Sequence, residues 1–246
     1  MKKNILKLDY DSFHGATSIQ NKVITKNNFT YKTTLNIIDK FLHSKKNILD
    51  IGSGAGTLCL YYASKGYRVV GIDVSEKAID SANKNAKRLG IKNAKFFKMN
   101  FPKETPEERY DFIIFTEVIE HLEDDDLALH KIFSLLKTKG IVVISTPSKN
   151  APLHRLGLAA EFDKNVGHLR RYTLEELTSK CKKQGFKVLE TKKTEGIIRN
   201  FLYLNPLAEK AIKFIKYFLV DFILYIDWLS MKLFGESNIF VVIQKP

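Results

Sequence analysis

The sequence predicts an α/β protein, a doubly wound, mostly parallel sheet of seven strands with helices on both faces and a helical insertion before the last strand. Three observations lead there: short apolar runs alternate with segments of helical period, a glycine-rich turn follows the first run, and an acid ends the second. The runs are "KNILDIG", "YRVVGID", "AKFFKMN", "YDFIIFTE" and "GIVVISTP", each continuous enough for a strand buried on both faces. "FKVLET" and "NIFVVIQ" supply two more.

The helices are equally legible. One is expected from about Thr30 to Leu42, after an irregular arm. A second, from Ser75 to Leu89, has Ser75 as N-cap, apolar Ala78, Ile79, Ala82, Ala86 and Leu89 at helical spacing, and Gly90 at its end. A third, from about Asp125 to Leu136, places Leu129, Ile132, Phe133 and Leu136 on one face. Thr173 and Glu176 have capping-box spacing at the start of a helix that Gly185 ends. The reading divides the chain into an N-terminal arm and helix (1–44), a core (45–195), an amphipathic insertion (196–236) and a last core strand (237–246).

At 246 residues and 44% hydrophobic, the chain can bury a substantial core. Two cysteines, Cys59 and Cys181, are too few for a disulfide framework, and Lys7 and Asp9 interrupt the first apolar run, unlike a signal peptide. A reducing, cytoplasmic setting is expected. The net charge of +13 is spread along the chain as lysine, which fits a solvated surface as well as it fits nucleic acid or an anionic membrane.

The first strand runs into "DIGSGAGTL", so Asp50, Gly52, Ser53, Gly54 and Gly56 form the first strand-to-helix turn. Glycines there admit a ligand close to the backbone, and Asp73 ends the second strand where an acid can accept both ribose hydroxyls. An adenosine-containing cofactor follows. The dinucleotide fingerprint would need glycine at position 57, and Thr57 stands there, which opposes a nicotinamide oxidoreductase.

With "LDIGSGAG", "VVGIDVS", "FFKMNF", "FIIFTEVIEHL" and "LLKTKGIVVISTPS" in order, the sequence resembles the class I S-adenosylmethionine-dependent methyltransferases, a Rossmann-like family, over about residues 45–190 and the last strand. The resemblance implies S-adenosylmethionine as cofactor. Asp50, Ser53 and the backbone of Gly52, Gly54 and Gly56 would receive its methionine part, Asp73 and Val74 the ribose, Asn100 and Phe101 the adenine, and Glu117 would face the methyl group. Asn100 departs from the aspartate often found there, which implies differently tuned binding.

The fourth strand ends in "TEVIEH". The E-x-x-E-H spacing puts Glu117, Glu120 and His121 on one side of a single helical turn, as candidate catalytic groups at the carboxyl end of the sheet. With His168 in "NVGHLRRYT" they are a candidate divalent-metal set. The arrangement is similar to that of ubiquinone-pathway O-methyltransferases and of small-RNA 2′-O-methyltransferases. The competing reading is a turn in which glutamate caps and histidine packs. His14, His43, His130 and His154 are read as surface or packing residues, and Arg170 and Arg171 as a solvated pair or an anion site.

Between the last two strands, residues 206–234 carry Ile215, Leu219, Phe222, Ile226, Leu229 and Leu233 at spacings of four and three, behind Lys210, Lys213 and Lys216. This reads as an amphipathic, kinkable helix able to lie on a membrane, cover a greasy substrate or pair with a second subunit as a homodimer. The function expected is methyl transfer to oxygen on a small apolar or lipid-linked acceptor. The alternatives are an RNA 2′-O-methyltransferase and a cofactor-binding protein without catalysis.

Overall fold

The computed structural model describes residues 20–43, 47–204 and 220–246. Expectations for residues 1–19 and 205–219, including Ile215, Leu219 and the three lead-in lysines, lie outside them. Helix α1 (Lys32–Leu42) buries Leu35, Ile37, Ile38 and Leu42 ahead of β1 (Asn47–Ile51). The chain then alternates through α2 (Thr57–Ser64), β2 (Arg68–Asp73), α3 (Glu76–Arg88), β3 (Ala94–Lys98) and β4 (Tyr110–Thr116). Helix α4 (Asp125–Leu135) leads into β5 (Leu136–Pro147), and two short helices follow, α5 (Pro152–Arg155) and α6 (Ala160–Val166). Then come α7 (Leu174–Lys183), β6 (Lys187–Thr194), α8 (Ile197–Leu204), α9 (Val220–Phe234) and β7 (Asn238–Gln244).

The seven strands pair in the order β3-β2-β1-β4-β5-β7-β6. All neighbours are parallel except β7, which runs antiparallel to β5 and β6. The order reverses between β1 and β4, so a cleft opens at the carboxyl ends of those strands, where α/β sheets take their ligands. Two apolar layers cover the faces. One joins Ile113, Phe115, Leu129 and Ile132 to α7, and the other joins Leu35, Ile38, Tyr62 and Phe112 to α1 and α2.

The capping signals act as read: Ser75 accepts from the Ala78 N–H, and Thr173 and Glu176 complete a reciprocal capping box. The insertion holds a helix that no spacing announced, α8, whose N-terminus is capped from α9. Asp227 accepts the N–H groups of Gly196 and Arg199 at 2.9 and 2.8 Å. The fit is close: a Cβ on Gly196 would lie 2.2 Å from the Asp227 carbonyl oxygen. The helical expectation for 206–234 is met over Val220–Phe234. No helix among the described residues is long and apolar enough to cross a membrane.

Candidate active site

The turn after β1 is built by backbone geometry. Gly52, Gly54 and Gly56 all have positive φ, at 77°, 53° and 81°. A Cβ on Gly52 would lie 2.4 Å from Val118 Cγ2, so the turn also needs the space. The N–H groups of Gly52 and Ser53 both donate to the Ile72 carbonyl, and the Gly54 N–H donates to Asp73 Oδ2 at 2.8 Å. Asp73 Oδ1 accepts from the Ser75 N–H at 2.9 Å. Asp73 therefore shapes the turn.

Asp50 is buried beneath the turn, where Cys59 Sγ donates to its Oδ2 at 3.3 Å. Burial pushes its carboxyl up to about 7, with the Cys59 hydrogen bond opposing and the charge of Asp73 adding. Ser53 Oγ is buried and has no partner among the described residues. Val74 is exposed at the end of β2, and Asn100 at the end of β3. Phe101 instead turns inward, edge-to-face with Phe115, so only its backbone can meet a ligand in the cleft. Sequence reasoning passed over Gln20 and Tyr31, which cross this turn: Gln20 Nε2 donates to Thr57 Oγ1, and Tyr31 shares a side-chain hydrogen bond with Thr57 close to Asp50. Neither belongs to a motif.

At the end of β4 the structure corrects one expectation. Glu117, Glu120 and His121 do not share a helical turn, because Glu117 has φ 55° and bends the chain before a short 3-10 turn over Ile119–His121. Glu117 is engaged by other strands. Its Oε1 accepts from Ser145 Oγ at 2.6 Å and from Asn238 Nδ2 at 2.8 Å, partners on β5 and β7 that the sequence did not suggest.

The other three converge. Glu120, His121 and His168 each offer a ligating atom, all within 4.8 Å of one another, and Glu117 is not in the group. Glu120 Oε1 lies 3.9 Å from Nε2 of both imidazoles. His121 Nδ1 meets the Gly167 carbonyl at 3.2 Å, and His168 Nδ1 meets Asp163 Oδ1 at 2.8 Å. A carbonyl and a carboxylate only accept, so Nδ1 of each ring is the protonated nitrogen and Nε2 is the one turned towards Glu120. Burial, then the neighbouring His168, lowers the His121 pKa to about 4, so that ring is neutral near pH 7.

Glu120 is fully buried, and its Oε2 accepts from Thr146 while Oε1 has no hydrogen-bond partner among the described residues. Burial and then the charge of Glu117 hold its carboxyl well above the usual range. The segment bearing His168 is tied down by the Leu169 N–H on the Glu120 carbonyl and by Asp163, which Arg171 grips through two nitrogens. Burial alone would raise the Asp163 pKa, but the bonds from His168 and Arg171 outweigh it and hold it below the ordinary value. Arg171 is thus committed internally, and Arg170 pairs with Asp125, which rules out the solvated-pair reading of the two. His154 lies 3.4 Å from Asp163.

Strand order, a glycine turn after β1 and an acid ending β2 together define the S-adenosylmethionine-dependent methyltransferase class of α/β fold. A methyltransferase-domain family model matches residues 29–191, and the chain belongs to that family. Its S-adenosylmethionine-dependent character is that of the family. The chain is 33% identical over 120 residues to a ubiquinone biosynthesis O-methyltransferase of Rickettsia canadensis, covering 47% of this chain and 48% of that one. With the protein of the same name from a Bradyrhizobium species it shares 35% over 103 residues, 42% of this chain and 40% of the relative. The chain spans about half the length of the curated relatives it matches.

Among solved structures, Haemonchus contortus phosphoethanolamine N-methyltransferase 2 in complex with S-adenosyl-L-methionine aligns with a TM-score of 0.67 and 21% identity. That alignment covers 88% of this chain and 53% of that one. The [4+2]-cyclase SpnF aligns at 0.64 and 16%, over 96% and 92%. Those likenesses concern the fold; a cyclase among them shows why the site has to carry the chemistry.

Proposed function

We propose that the chain transfers the methyl group of S-adenosylmethionine to a hydroxyl oxygen of a small apolar or lipid-linked acceptor, beside a divalent metal held by Glu120, His121 and His168. The observation that carries this reading is Glu120 Oε1, a buried carboxylate oxygen without a hydrogen bond, faced by Nε2 of two imidazoles whose rings are fixed from behind. One carboxylate and two imidazoles, each backed by an acceptor on Nδ1, are a donor set that suits a first-row divalent ion. Such an ion would make an acceptor hydroxyl more acidic near neutral pH.

The chain's own residues do the rest. Asp50, Ser53 and the glycine turn hold the methionine part of the cofactor, Asp73 and Val74 the ribose, and Asn100 with the Phe101 backbone the adenine. Glu117 is fixed through one oxygen by Ser145 and Asn238. The acceptor oxygen attacks the sulfonium methyl in line, the carbon–sulfur bond breaks, and S-adenosylhomocysteine departs while the hydroxyl proton passes to a carboxylate such as Glu117. The names of the curated relatives support oxygen as the acceptor atom. Leu169, half exposed beside His168, supports an apolar one.

The test is product analysis. The protein is incubated with S-adenosylmethionine, manganese or magnesium, and phenols with and without prenyl chains, alongside RNA ending in a free 2′-hydroxyl. Methyl ethers of the prenylated phenols with matching S-adenosylhomocysteine are expected, whereas methylation confined to RNA would overturn the acceptor class.

Asp50 adds a pH dependence to cofactor binding. The α-ammonium of the methionine part favours an ionised partner, and a carboxyl raised to about 7 must lose its proton to provide one. Affinity is expected to rise by about tenfold per pH unit up to about 7 and then level off, with proton release visible by calorimetry in buffers of different ionisation enthalpy. Asp50→Asn should flatten the profile. A wild-type affinity that is constant between about pH 5.5 and 7 would refute this role for Asp50.

A further inference from the structure

Helix α9 is seated with its polarity inverted. In a helix packed as an ordinary amphipath the apolar stripe faces the core. Here Asp227 and Ser230 face inward, while Phe222 is 58% exposed, Trp228 47% and Leu233 77%, with Tyr225 and Leu229 beside them. Phe222, Tyr225, Leu229 and Leu233 follow one another at steps of three or four and share one side of the helix, with Trp228 at its edge.

The orientation is locked rather than incidental. Asp227 is consumed by two N–H groups at the start of α8, and a Cβ on Gly196 would lie 2.1 Å from Ser230 Oγ. Rolling α9 to bury its aromatic side would break that cap and drive Ser230 and Asp227 off a backbone they already touch. Among the described residues, this exposed side is therefore held outward by the packing of α8 against α9.

We propose that this outward face of α9 is a docking surface for a membrane rich in anionic phospholipid. Tyrosine and tryptophan favour the boundary between headgroups and acyl chains, and phenylalanine and leucine the region below it. The charge around the face has the matching sign. Its acid, Asp221, is neutralised by Lys32 at 2.7 Å, and Lys232 lies over the Trp228 ring at 5.3 Å, while the whole chain carries +13. No helix among the described residues is long and apolar enough to cross a bilayer, and the proposal places α9 in the plane of the surface.

Trp228 is the only tryptophan in the chain, so the face reports on itself. The full chain, without cofactor or acceptor, is titrated with phosphatidylcholine vesicles with and without phosphatidylglycerol. With the anionic vesicles, Trp228 emission is expected to shift to the blue and to be quenched by bromine-labelled acyl chains. A Phe222→Ser/Leu233→Ser double variant, which keeps the reporter, should lower partitioning by about tenfold or more. Emission unchanged by anionic vesicles would overturn the proposal, and so would a variant that partitions like the wild type. A blue shift that grows with protein concentration in the absence of lipid, accompanied by a dimer in light scattering, would assign the face to a second copy instead. None of these readouts involves turnover, so the result stands apart from the methyl-transfer reading.

Discussion

Replacing Glu120 with glutamine is expected to abolish saturable binding of manganese or zinc and to lower turnover by about 10²–10⁴-fold, the several kcal/mol that a metal-polarised acceptor contributes. The side chain keeps its size, and Thr146 can still donate to the amide oxygen, so the fold should survive. What disappears is the oxygen that can ionise to bind a cation between the two imidazoles. In chelator the variant should be at least as stable as the wild type, because the amide keeps the bond from Thr146 and has no charged form to bury. Calorimetric metal titration and thermal melting read the two effects separately. Glu117→Ala is the discriminating control: its carboxylate is directed at Ser145 and Asn238, so metal affinity should persist while turnover falls. Wild-type metal affinity in Glu120→Gln, or loss of metal in Glu117→Ala, would reverse these assignments.

Asp73→Ala should weaken S-adenosylmethionine binding by about 10²-fold or more, since it deletes two charge-assisted acceptors, each contributing about 1.5–3 kcal/mol. The geometry adds a second consequence. Asp73 Oδ2 holds the Gly54 N–H and Oδ1 the Ser75 N–H, so the substitution also loosens the turn that meets the methionine part. Asp73→Asn, able to keep one acceptor, should be intermediate. The rise in melting temperature produced by excess S-adenosylmethionine measures both. A folded Asp73→Ala protein with an undiminished rise would remove Asp73 from the ribose site.

Elements whose signals are local were legible from residues alone. Buried parallel strands read as continuous apolar runs, Ser75 and Thr173 lie next to the N–H groups they cap, and the glycines of the first turn stand where positive φ is needed. His168 joins Glu120 and His121 across 47 residues of sequence by residue type and by its place after the fifth strand, but the close approach of their nitrogens and oxygen is a matter of tertiary geometry. Missing from that reading were the groups that aim the ligands. Asp163 behind His168 lies on a short helix with no sequence signal, and Asn238 reaches Glu117 from 121 residues away.

The amino-acid sequence by itself determined the strand order's raw material, the cofactor turn and which residues of the last helix share a side, because dihedral preference and periodicity act between neighbours in the chain. Tertiary structure alone decided that Glu117 leaves the Glu120–His121–His168 cluster. It does so because a left-handed residue at the strand end sends the side chain towards β5 and β7. It also decided which way the side of α9 points. Period groups Phe222, Ile226, Leu229 and Leu233, but only the Asp227 cap on α8 and the bare backbone of Gly196 leave Phe222, Leu229 and Leu233 exposed.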